Sequence, residues 1–154
     1  MKRLIILAIT HAGALAVGFA LGVYLLPILT APPSPDATQL SEGARDATYR
    51  AELTRDLRGS DFLHWGEGTI SISPARIVHE GKLAPGPDYK VYLTQSLVTH
   101  EDEFDRATAT LVGDVKTFDG FLLDVPAGVD VEAHAAVLVW CESFGEFITA
   151  AAYR

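Results

Sequence analysis

The chain has 154 residues, enough for one domain and an extra segment but not for two full domains. It carries a formal net charge of −8, and Lys2 and Arg3 are the only charges before Asp36, so the remainder sets 10 basic against 20 acidic residues. That balance excludes a nucleic-acid partner, which needs clustered Lys and Arg, and it keeps the soluble part from lying flat on anionic lipid.

Residues Leu4 to Ala31 contain no Asp, Glu, Lys or Arg over 28 positions, and a bilayer span needs about 20. A cleaved signal peptide has a shorter apolar region and a small-x-small exit. Here Pro32 follows Ala31 directly, which makes a poor cleavage site. The segment is expected to be an uncleaved signal anchor over residues 1–31, with a cleaved signal peptide as the second reading. Lys2 and Arg3 should stay cytoplasmic, which exports the C-terminal part to the periplasmic or extracellular side. Ala14, Gly18 and Gly22 fall on one helix face with little side chain, an arrangement that permits a homo-oligomer by close helix approach.

Pro32-Pro33-Ser34-Pro35 ends the anchor and opens a stiff linker over residues 32–58. Within it, Tyr49, Leu53 and Leu57 recur at helical spacing, Asp46 and Arg50 are an i,i+4 pair, and Gly59 can stop the turn. These signals predict a short helix from Ala44 to Arg58.

From Gly66 the period changes to two. Thr69 to Ser73 alternates strictly, and Ala75 to His79 and Tyr89 to Leu93 read as further strands either side of the Pro85-Gly86-Pro87-Asp88 turn. Ala107–Val112 and Asp114–Phe118 are two more. Asp119-Gly120 signals a hairpin into Phe121–Val125. Ala135 to Cys141 is apolar throughout and should be a central strand buried on both faces, and Phe147–Tyr153 closes the list. About eight short strands with regular turns predict an all-β domain over residues 59–154, an antiparallel β-sandwich or barrel.

No nucleophile elbow, phosphate loop or zinc-protease motif is present, so the domain reads as a module more than as an enzyme on its own. Gly66 and Gly68 suit a bulge or close approach. His64, His79, His100 and His134 have no metal-ligand spacing, and Glu101 to Asp105 reads as a solvated acidic loop that matches no calcium-binding pattern. Cys141 is the chain's one cysteine, which rules out an intramolecular disulfide and a Cys-x-x-Cys metal site. Period two puts it on the face of Val137 and Val139, at the end of the buried strand, while Leu138 and Trp140 face the other way. It is either a small hydrophobe in the core or a group that meets a cofactor or partner at the domain's rim.

Four segments together resemble the DM13 domain. They are His64-Trp65-Gly66-Glu67-Gly68-Thr69, Gly86-Pro87-Asp88-Tyr89-Lys90-Val91-Tyr92-Leu93, Val115-Lys116-Thr117-Phe118-Asp119-Gly120 and Val139-Trp140-Cys141-Glu142-Ser143-Phe144. The resemblance spans roughly Gly59 to Arg154. It implies a small β-rich module for electron transfer, in which the cysteine of the Trp-Cys segment, here Cys141, serves as a free redox thiol or a haem ligand. It also implies an envelope redox or protein partner on another chain, since no haem-binding partner domain accompanies the module. The competing expectation is a non-catalytic envelope scaffold in which Cys141 only packs. Glu142 does not help to activate the thiol, because a neighbouring negative charge raises its pKa.

Overall fold

A computed structural model describes all residues, Met1 to Arg154. The N-terminal segment is one helix, α1 (Lys2–Thr30), long and apolar enough to cross a membrane and with no residue buried in the protein. A second helix, α2 (Ala37–Gly43), starts on a capping box. Asp36 accepts from the Gln39 N–H at 2.8 Å, and the Gln39 side chain accepts from the Asp36 N–H at 2.9 Å. Leu40 on α2 and the following Ala44 pack against Val78 and Leu122 on the outside of the β domain.

Eight strands follow: β1 (Tyr49–Leu53), β2 (Gly66–Ile72), β3 (Arg76–Leu83), β4 (Tyr89–Thr94), β5 (Thr110–Val115), β6 (Phe121–Asp124), β7 (Ala136–Cys141) and β8 (Glu146–Ala152). They form two four-stranded sheets in the orders β1-β2-β3-β6 and β5-β4-β7-β8, every pairing antiparallel. The main core lies between the sheets and takes Ile70, Ile72 and Ile77 from one and Val91, Leu93, Val137, Val139 and Ile148 from the other. The outer face of the second sheet carries a smaller cluster around Tyr92, Leu138, Trp140 and Phe147, covered by Phe104 and Leu57.

The fold corrects two local expectations. Residues 44–58 do not form the predicted helix. The helix lies earlier, at α2, and Tyr49–Leu53 is an edge strand paired to β2, Tyr49 opposite Ile72 and Leu53 opposite Gly68. A spacing of four is close to one helical turn and equals two strand repeats, so Tyr49 and Leu53 share a face in either state. Ala51 between them packs on the core too, while Arg50 and Glu52 point outward, as a strand requires. Arg50 donates to the Ala44 carbonyl at 2.9 Å and forms no ion pair with Asp46. The second correction concerns the Asp119-Gly120 hairpin. The two strands expected over 107–118 are the single strand β5, which pairs with β4, whereas β6 pairs with β3 in the other sheet. Gly120 does take the left-handed conformation, φ 83°, but the turn carries the chain across the sandwich.

The central-strand expectation holds. β7 lies between β4 and β8, with all six residues buried.

Candidate functional site

Cys141 ends β7 on the inner face, in the core cluster with Val137 and Val139, and is 3 % exposed. Directly across the β4–β7 ladder is Tyr89, the first residue of β4. Tyr89 is also 3 % exposed, and the ring of Phe118 meets its ring edge-on at 6.1 Å between centroids. The Gly86-Pro87-Asp88 turn arcs over the phenol so closely that a Cβ on Gly86 would overlap the ring. The turn after β7 is tied to it: the Glu142 N–H donates to the Asp88 carbonyl and Ser143 Oγ to the Asp88 carboxylate, at 2.9 and 2.8 Å. Gly145, with φ 69°, closes that turn by donating to the Cys141 carbonyl.

Beside the thiol is a cavity of about 420 Å³. Its wall includes Cys141, Tyr89, Pro87, His64, Phe144 and Ile148, and on one side Phe19, Ala20, Val23 and Tyr24 of α1. His64 is held by Asp61, whose carboxylate lies 3.1 Å from Nδ1. The four segments singled out in the sequence therefore converge at one end of the sandwich. His64, Tyr89 with its Gly86-Pro87 turn, and Cys141 with Phe144 all line one cavity, and Phe118 braces Tyr89 from behind.

The electrostatics of the thiol are mixed. Burial pushes the Cys141 pKa up, and Asp88 adds to this through its charge. The backbone N–H groups of Phe144, Asp88 and Ser143 face the sulfur and pull the other way. They act at range, without a short N–H···S bond to the neutral thiol. The balance leaves the thiol neutral and its pKa raised. Tyr89 is also raised well above the usual phenol range, chiefly by burial, so it stays a neutral O–H donor.

The other sequence candidates lie elsewhere. His79 is wholly buried beside Phe121, with Nε2 3.0 Å from the Glu67 carbonyl and no partner for Nδ1. His134 bridges the Asp130 carbonyl and Thr110 Oγ1. In the acidic loop, Arg58 pairs with Asp102 and Glu103 at 2.9 and 3.2 Å, and His100 contacts Asp102. Gly68, at φ 111°, faces Gly81 across the ladder, where a side chain would strike the Glu80 carbonyl. Sequence reasoning missed Tyr89 as a site residue. The alternation of Tyr89, Val91 and Leu93 places it on the inner face, but nothing local says that its cross-strand neighbour is Cys141.

A family model described as "Electron transfer DM13" matches residues 57–153. The match covers more than half of the chain, and the chain belongs to that family. No curated protein and no solved structure matches it.

Proposed function

We propose that this DM13 family member is an electron-transfer module, anchored in a membrane by residues 4–31 and exported, with Cys141 as its working group. The carrying observation is the convergence of the family's segments on one cavity with the sole cysteine in its wall. An electron-transfer family description supports it, as does a first helix of sufficient length and apolarity for a span.

Haem is the cofactor raised by the family resemblance. A cysteine sulfur is a ligand type that haem iron accepts, and Cys141 stands in the wall of the cavity. The rest of the wall does not suit the porphyrin: no Lys or Arg lines the cavity to meet its two propionates, and the Glu146 carboxylate stands among the lining residues. No step is therefore routed through haem. A single thiol passes two electrons by bonding to a second sulfur. The Cys141 thiolate attacks a disulfide of an envelope partner, and the S–S bond between Cys141 and the partner forms as the partner's own S–S bond breaks. The partner's other sulfur leaves as a thiolate and takes up the proton lost by Cys141, and attack by that thiol reverses the exchange. The backbone amides of Phe144, Asp88 and Ser143 lower the thiol's pKa, against the larger effect of burial, which leaves it raised.

A second reading has its own support. A cysteine 3 % exposed, inside the main core cluster and with a raised pKa, also fits a non-catalytic scaffold in which it only packs. The two separate in one assay. The full-length protein in detergent is equilibrated with glutathione buffers of graded potential, then trapped by alkylation and weighed. A mixed disulfide on Cys141 in the folded protein, absent in Cys141→Ser, is expected. A thiol that reacts only after denaturation would establish the packing reading. A visible absorbance band in the purified protein, lost in Cys141→Ser, would overturn the exclusion of haem.

A further inference from the structure

We propose that the cavity beside Cys141 receives the ring of a membrane quinone, entering at the lipid–water boundary. The proposal rests on the electron-transfer reading and names the small molecule of that same site. It begins with the placement of the cavity. α1 has 29 residues, about 43 Å at ~1.5 Å per residue, whereas the hydrocarbon layer is ~30 Å and uses about 20 residues. With Lys2 and Arg3 at one surface, the hydrocarbon layer is crossed near residue 23. The rest of the anchor runs through the opposite headgroup layer, the whole helix matching the ~40–45 Å of a bilayer with its headgroups. Phe19, Ala20, Val23 and Tyr24, which wall the cavity, therefore stand at the opposite boundary. Tyr24 sits at the depth where tyrosines form interfacial belts. A molecule dissolved in the bilayer reaches this wall without crossing water.

The second part is the polarity of the wall. Most of it is hydrophobic, and its volume of about 420 Å³ lies in the range of small-molecule sites, roughly 300–1,000 Å³. Its polar groups include a phenol without a partner. The Tyr89 hydroxyl, on a residue 97 % buried, makes no hydrogen bond within the protein and lines the cavity. Buried phenols ordinarily find a partner, because an unmade bond is costly. As a neutral donor it calls for an acceptor oxygen on the ligand. His64, engaged with Asp61 through Nδ1, has its other ring nitrogen free for a second contact.

These features select among lipophilic ligands. An anion is disfavoured, since the lining residues include the Glu146 carboxylate and no Lys or Arg. An acyl chain fills the apolar wall but leaves Tyr89 unpaired. A neutral, flat, lipid-soluble ring with carbonyl oxygens meets both requirements, and among such molecules a quinone is the one that carries electrons.

The test uses the full-length chain in nanodiscs of zwitterionic phospholipid, with decylubiquinone as probe and binding followed by quenching of intrinsic fluorescence. Saturable binding is expected, weakened about tenfold by Tyr89→Phe, as the loss of one hydrogen bond to a ligand gives. Ala20→Trp on α1 fills the cavity from outside the β domain and should abolish binding with the circular dichroism unchanged. It keeps the test informative should Tyr89→Phe disturb the fold. Quenching that does not saturate, binding indifferent to both substitutions, or equal competition by decanol would each overturn the proposal, the last by showing an acyl-chain site. Glutathione exchange at Cys141, run on the same samples without quinone, reports separately on the electron-transfer reading. Exchange without quinone binding removes the quinone alone.

Discussion

Substituting Gly86 by Ala tests the contact that shapes the cavity. The added methyl would lie closer than 3.0 Å to Oη, Cε1 and Cζ of Tyr89, where ordinary carbon contacts sit at ~3.5–4.0 Å. The clash is with the body of a ring, so no flexible chain end can swing aside. The ring is 3 % exposed, with Phe118 against its edge and Cys141 across the ladder, and has little room to retreat. Gly86 has no left-handed φ, so backbone strain adds nothing and the cost is steric. Overpacking of this kind costs about 1–3 kcal/mol, and a value near 2 lowers the Tm by roughly 8–16 °C for a domain of about 100 residues. Urea unfolding of the full-length protein in detergent measures it. Tyr89→Leu clears the ring atoms, so in the Gly86→Ala background it should recover about 1 kcal/mol or more relative to additivity. A Gly86→Ala protein within about 0.5 kcal/mol of the parent, or a strictly additive pair, would refute the reasoning.

Trp140→Ala should destabilise by about 3–5 kcal/mol, since the indole is 5 % exposed and packs against the tilted ring of Phe104, 4.6 Å between centroids. Trp140→Phe should cost less than half as much, because Nε1 has no hydrogen-bond partner to lose; denaturant midpoints compare the two, and equal costs would contradict the packing. Burial lowers the His79 pKa, so the folded state keeps the ring neutral while the unfolded chain takes up a proton below about 6.5. Its contribution is therefore present above that pH and fades as the pH falls. Between pH 7.5 and 5.5 the parent should lose about 1 kcal/mol more than His79→Leu, and parallel pH profiles would remove His79 as the cause.

Much of this architecture follows from local patterns. A run of 28 residues without a charge dictates a long apolar helix whatever else the chain does, because length and apolarity are properties of the segment alone. Alternation from Thr69 onward dictates strands, and the unbroken apolar run ending at Cys141 dictates that its strand lies inside the sheet. The inward side of Cys141, shared with Val137 and Val139, follows from the same period. What local pattern could not decide was partnership. Tyr49 and Leu53 satisfy both periods, and only the pairing of β1 with β2 selects the strand. Asp119-Gly120 specifies a turn but not whether the chain returns to the same sheet, since that depends on which edge, β3 or β5, is left for β6. The candidate site depends on the same missing information. Cys141 and Tyr89 are 52 positions apart in sequence, and the β4–β7 register alone makes them neighbours. The N–H groups that face the sulfur come from Asp88 as well as from Ser143 and Phe144, so the thiol's setting is assembled by two turns that no sequence window contains together.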